Sequence, residues 1–94
     1  MFNISRNEKG AVVLEGRLDA SQVETAAELL DALTSSSIVD FSKLDYISSA
    51  GLGILLKTQK RLGASGQSLT LIHMNKMIRD VFRIARFDLI FTIE

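Results

Sequence analysis

Cysteine is absent from the 94 residues, and that absence removes disulfide staples, thiolate catalysis and the usual structural zinc sites together. A reducing cytoplasm suits such a chain. No stretch approaches the ~20 apolar residues of a membrane span. The first six residues, Met1-Phe2-Asn3-Ile4-Ser5-Arg6, lack the basic-then-apolar order of a secretory signal. A cytoplasmic protein without direct membrane insertion is expected. Excess charge is missing too: eleven basic residues balance eleven acidic ones, so no net field draws the chain to nucleic acid or an anionic membrane. With His73 the only histidine, a histidine-rich metal site is excluded and a Ser-His-Asp triad has one possible base. Neither cofactor nor metal is expected.

What is present is the composition of a folded domain. The chain is 47% hydrophobic and 23% charged, without low-complexity tracts, and can therefore bury a core. At this length one compact domain, 1–94, is expected.

Residues 2–5 and 11–15 are rich in strand formers and are separated by the turn-like Asn7-Glu8-Lys9-Gly10, which predicts a hairpin. From Ser21 the period changes. Val23, Ala26, Ala27, Leu30 and Leu33 recur at helical spacing, and Ser21 with Glu24 three residues on reads as a capping box, predicting a helix to about Thr34. Residues 38–41 form a short strand candidate. A second helix starts near Ser48-Ser49, carries Leu52, Leu55, Leu56 and Leu62 on its apolar stripe, and stops at Gly63. Residues 68–72 read as a strand. Met77, Ile78, Val81, Phe82 and Ala85 give a third helical stripe behind a possible Asn75 cap, and residues 89–93 read as a last strand.

The order ββαβαβαβ describes an α/β fold, a mixed β-sheet with helices packed against it, because helical crossovers return the chain to the same end of the sheet. The carboxyl ends of the parallel strands then gather at one edge. Asp19, Ser48, Ser49, His73 and Asn75 are expected to share that rim.

Ser48 and Ser49 stand at a helix start, among unpaired N–H groups and the positive end of the helix dipole, where a phosphate is favoured. The plain alternative is a helix cap worth ~1 kcal/mol. Ala50 and Gly51 beside them allow close approach of another backbone. Asp19, at the end of the second strand, either orients a neighbouring hydroxyl or caps the first helix. A nucleophile elbow requires glycine two places before the serine, where Ile47 stands. Gly51-Leu52-Gly53 and Gly63-Ala64-Ser65-Gly66 lack the Lys-Ser/Thr pair of a phosphate loop. Arg79, Arg83 and Arg86 read as the solvated face of the third helix rather than a nucleic-acid site. A binding module, not an enzyme, is expected.

Gly16-Arg17-Leu18-Asp19-Ala20 and the run from Val39-Asp40-Phe41 through Tyr46-Ile47-Ser48-Ser49-Ala50-Gly51-Leu52 resemble the STAS domain of bacterial anti-sigma factor antagonists. The later Leu62-Gly63 and the stretch from Val81-Phe82 to Phe91 are also similar. The resemblance implies a STAS-like fold and an antagonist that works by protein–protein binding in a partner-switching circuit. There an anti-sigma factor serine kinase phosphorylates it and a serine phosphatase restores it, controlling transcription. On alignment at Gly51-Leu52, Ser49 corresponds to the family's phosphorylated serine and Asp19 to the aspartate near it. Many members carry aspartate where this chain has Ser48, which leaves Ser48 as an alternative acceptor. The implied partner surface comprises Asp19, Ser48, Ser49, Ala50, Gly51 and Leu52. A second implication is a non-phosphorylated adaptor subunit, similar to the small STAS subunit that holds an ATPase in phospholipid ABC transport. Many members continue into another helix after the last strand, whereas this sequence stops at Glu94. An uncovered apolar surface, met by a homodimer or another partner, is therefore expected.

Overall fold

The computed structural model describes residues 1–94. Strand β1 (Phe2–Arg6) runs antiparallel to β2 (Val12–Leu18), with Phe2 opposite Gly16 and Arg6 opposite Val12. The turn between them is set by Asn7, whose side chain accepts from the amides of Lys9 and Ala11, both at 3.0 Å, and by Gly10 at φ +84°. Helix and strand then alternate: α1 (Val23–Leu30), β3 (Ser37–Ile47), α2 (Ser49–Gly63), β4 (Leu69–Ile72), α3 (Lys76–Ile84) and β5 (Thr92–Ile93). Short 3₁₀ turns occupy Ala20–Gln22 and Phe87–Leu89.

The element order is the ββαβαβαβ read from the sequence. Strands lie in chain order, β1-β2-β3-β4-β5, and β2 through β5 are parallel. Right-handed crossovers that each step to the next strand in one direction put all three helices on one face. Burial follows that rule. Val12, Leu14 and Leu18 of β2, Val39, Phe41, Leu44 and Ile47 of β3, and Leu69 and Leu71 of β4 are buried beneath the helices. Their alternates Val13, Glu15, Ile38, Asp40, Thr70 and Ile72 remain partly or largely open to solvent.

Three boundaries differ from the sequence reading. β3 is eleven residues long, not four, and its buried positions 39, 41, 44 and 47 are spaced by two, three and three. Two register shifts against β2, between Val13 and Glu15 and between Gly16 and Arg17, explain the spacing: each is a bulge that adds one residue to β3 and breaks the period of two. Asp40 supports the first bulge by accepting from the Ser42 amide at 2.8 Å. α1 ends at Leu30 rather than near Thr34, and its end is met from outside by the Arg61 guanidinium of α2, which donates to Leu33 O at 2.8 Å and Leu30 O at 2.9 Å. A cation there also complements the helix dipole.

The last strand is only Thr92–Ile93. Phe87 and Phe91, four apart, turn inward together through a Phe91 N–H to Phe87 O bond of 2.9 Å, which an extended strand does not allow. Both rings pack edge-on to Phe82, at centroid distances of 6.2 and 5.7 Å, and Phe82 in turn meets Phe41 at 5.9 Å. Asn75 caps α3 as expected, accepting from the Ile78 amide at 2.8 Å.

Candidate functional site at the start of α2

The site is built where β2 and β3 end together. Leu18 and Ile47 are register partners, so Asp19 and Ser48 leave adjacent parallel strands about 4.8 Å apart. The Ser48 amide donates to Leu18 O at 3.0 Å, and this bond holds the two chain exits side by side.

Ser48 and Ser49 have different employment. Ser48 is extended (φ −93°, ψ 173°) and its hydroxyl accepts from the Gly51 amide at 3.2 Å, making it the N-cap of α2. Ser49 is the first helical residue; it is exposed, and its hydroxyl bonds to nothing within the chain. Ala50 beside it is exposed as well. Gly51 and Leu52 are buried beneath this pair. A Cβ on Gly51 would lie 2.8 Å from both Leu18 O and Ile47 Cγ1, so only glycine lets α2 begin flush against the two strand ends.

Asp19 is half-buried and caps the 3₁₀ turn that leads into α1, accepting from the Ser21 hydroxyl at 2.6 Å and the Ser21 amide at 3.0 Å. The expected capping box does not form. Ser21 is a donor to Asp19, and Gln22 precedes α1 without a side-chain cap. The physical reason is that the 3₁₀ turn uses Ser21 before the α-helix begins. The two Ser21 bonds, outweighing a small effect of burial and helped by nearby Arg17, hold the Asp19 carboxyl below its ordinary 3.8. The rim therefore carries a fixed negative charge next to the serines.

His73 and Asn75 do not join this rim. β4 pairs only with residues 37–40 of β3, while β3 runs on to Ile47; at strand rise this leaves His73, beside Asp40, about 20 Å and Asn75, beside Leu44, about 10 Å short of the end of β3. His73 instead approaches Asp40, Nδ1 to Oδ1 3.2 Å, and the Asn75 amide donates to Leu44 O at 3.3 Å. Sequence reasoning assumed strand ends level with one another, and the bulged extension of β3 staggers them. It also missed Arg17 and Tyr46, a register pair on the open sheet face with the guanidinium 4.2 Å from the ring centroid. Only the second bulge brings them opposite, so no sequence signal announces the pair.

Burial works to raise the Asp40 carboxyl, but the bonds from Ser42 and His73 outweigh it and leave the group below 3.8. For Asp19 and Asp40 alike, the unfolded chain binds protons first as pH falls. Their stabilisation is complete above the ordinary carboxylate value and is lost as pH drops through the lower folded values. Asp40→Asn is therefore expected to flatten the decline in Tm between about pH 6 and about pH 2.5, measured by circular dichroism. An unchanged slope would contradict it.

The two cavities of the chain are lined elsewhere and include none of Asp19, Ser48 or Ser49. No group of three or more His, Asp or Glu side chains is placed to hold a metal ion, and no helix is long and apolar enough to cross a membrane. The rim is open and carries a free hydroxyl, an exposed alanine and one carboxylate.

The family described as "Mlab, STAS domain" matches residues 3–92. The chain belongs to the STAS domain family. BtrV of Bordetella bronchiseptica, a candidate anti-sigma factor antagonist, is 34% identical over 82 residues, 87% of this chain and 70% of that protein. Among solved structures, an anti-sigma factor antagonist from Mycobacterium paratuberculosis aligns with a TM-score of 0.82 at 17% identity, covering 99% of this chain and 83% of its own. SpoIIAA, a Bacillus cell-fate determinant solved in unphosphorylated and phosphorylated forms, aligns at TM-scores of 0.66 and 0.64 with 24% identity, covering all of this chain and 87% and 91% of those chains. The STAS fold of the chain is thus that of the anti-sigma factor antagonists, which are non-enzymatic regulatory proteins.

Proposed function

We propose that this STAS domain is an anti-sigma factor antagonist that acts by protein–protein binding in a partner-switching circuit and is switched by reversible phosphorylation of Ser49. The observation that carries the reading is the division of labour at the α2 start: the Ser48 hydroxyl is engaged as the cap, and the Ser49 hydroxyl is exposed and free. A phosphate on Ser49 adds about 1.5 to 2 negative charges at a helix N-terminus that tolerates them. The fold survives the modification. The partner interface does not, because a dianion added beside the Asp19 carboxylate raises the negative charge of the rim and imposes repulsion and desolvation against acidic or apolar partner groups. The enzymes required are an anti-sigma factor serine kinase and a serine phosphatase.

Intact-mass analysis with phosphosite mapping of the protein from its native cells, together with identification of what copurifies, tests this directly. One phosphate on Ser49 and a bound serine kinase are expected; modification confined to Ser48, or none under any growth condition, would overturn it. With the copurified kinase as probe, Ser49→Asp is expected to weaken binding about tenfold or more, roughly 1.4 kcal/mol per decade, and Ser49→Ala to preserve it. Equal binding by both variants would sink the switch. Stability separates the two serines independently: Ser48→Ala removes a cap and lowers unfolding free energy by about 1 kcal/mol, while Ser49→Ala leaves it within about 0.5 kcal/mol.

The name of the matching family, "Mlab, STAS domain", favours a second reading, the non-phosphorylated adaptor of a phospholipid ABC transport ATPase. Copurification of an unmodified chain with a transporter ATPase would select it, and the serines would then be a cap and a contact residue.

A further inference from the structure

At the amino end of β3, the opposite end from Ser48 and Ser49, two turns face each other across a cavity of about 300 Å³. The last residue of β1 contributes Arg6 and the turn after it Lys9; the segment entering β3 contributes Ser35 and Ser36, and Ile38 and Thr70 lie on the sheet beside them. No carboxylate lines this space. None of the chain's three ion pairs includes Arg6 or Lys9, so two cations stand outside any ion pair at one concavity.

The walls are pinned while the donors are free. Ser36 donates through both its amide and its hydroxyl to Gln67 Oε1, each at 2.9 Å, and accepts from the Ser68 amide at 3.0 Å. Asn7 fixes the opposite turn through its two amide contacts. The Ser35 and Thr70 hydroxyls have no partner within the chain and are available as donors. Ile38, 45% exposed, supplies an apolar surface beside them. Two cations, two free hydroxyls and one aliphatic side chain around a small volume match the requirements of an anion that carries an organic group.

We infer that this cavity binds a small organic phosphate, its phosphoryl group between Arg6 and Lys9 with hydroxyl donors from Ser35 and Thr70, and its organic part against Ile38. The site is separate from the Ser49 rim and does not depend on the partner-switching reading. Its occupancy leaves that rim open.

Amide NMR spectra of the full chain, titrated with adenosine 5′-monophosphate and separately with inorganic phosphate and with sodium chloride at matched ionic strength, test the inference. The expected result is saturable movement of amides in residues 6–11 and 35–38, with residues 48–52 unmoved, and tighter binding of the nucleotide than of inorganic phosphate. The double variant Arg6→Gln, Lys9→Gln, altered only at exposed side chains, is expected to keep the dispersed spectrum and lose about tenfold or more in affinity. Shifts reproduced by sodium chloride, failure to saturate, or wild-type affinity in the double variant would overturn the site. Equal affinity for inorganic phosphate would overturn the assignment of an organic ligand.

Discussion

Phe82→Ala is expected to lower the unfolding free energy by about 3–5 kcal/mol, a large share of the roughly 5–15 kcal/mol that holds a domain together. Phe82 is fully buried and its ring is shared by three neighbours, Phe41 from β3 and Phe87 and Phe91 from the segment before β5. Those neighbours belong to two separate segments, β3 and the stretch after α3, so closing the void requires both to move. Truncation loses both the transfer free energy of the ring and its edge-on contacts. Urea unfolding is expected to show a lower midpoint at unchanged slope, with Tm falling by roughly 15–30 °C. A loss below about 1 kcal/mol would mean that the four-ring cluster is not a packing centre.

Gly51→Ala and Gly53→Ala are expected to have opposite signs. Both replace glycine within α2, a change that by helix propensity alone gains up to about 1 kcal/mol. At Gly53 nothing lies within 4 Å of the new methyl, and the gain is expected in full. At Gly51 the methyl meets Leu18 O at 2.8 Å and Leu18 Cγ at 2.9 Å. That oxygen is backbone and already accepts from the Ser48 amide, so relieving the contact means stretching the bond that joins the two strand ends. Overpacking at about 1–3 kcal/mol, plus a weakened hydrogen bond of about 1 kcal/mol, outweighs propensity. A net loss near 2 kcal/mol follows, with α2 and Ser49 displaced from the rim. Paired chemical denaturation checks the prediction, and a stabilised Gly51→Ala would show that α2 does not bear on Leu18.

The elements legible in the sequence were those whose environment repeats with a regular period. α2 and α3 each bury one stripe against the sheet, and Leu55, Leu62, Ile78 and Phe82 recur at helical spacing. β2 alternates buried and open positions without interruption. The sequence pattern understates β3 because its bulges replace the period of two by intervals of three, so Leu44 and Ile47 look aperiodic until β2 is laid beside them. The pattern overstates α1 because Leu33 is buried at helical spacing from Leu30, although the helix has already ended. Arg61, 28 residues away in sequence from Leu33, secures that end.

The site divides in the same way. The amino-acid sequence by itself determined the order of elements, the placing of two adjacent serines at the head of a helix, and the balance of composition that excludes thiol and histidine-cluster chemistry. Each depends on residue type and local spacing. Tertiary structure decided which serine is spent as a cap, that Asp19 stands beside them while His73 and Asn75 do not, and that Gly51 must carry no side chain. Those outcomes rest on strand lengths, register and a close approach of α2 to Leu18, which exist only once distant segments are packed together.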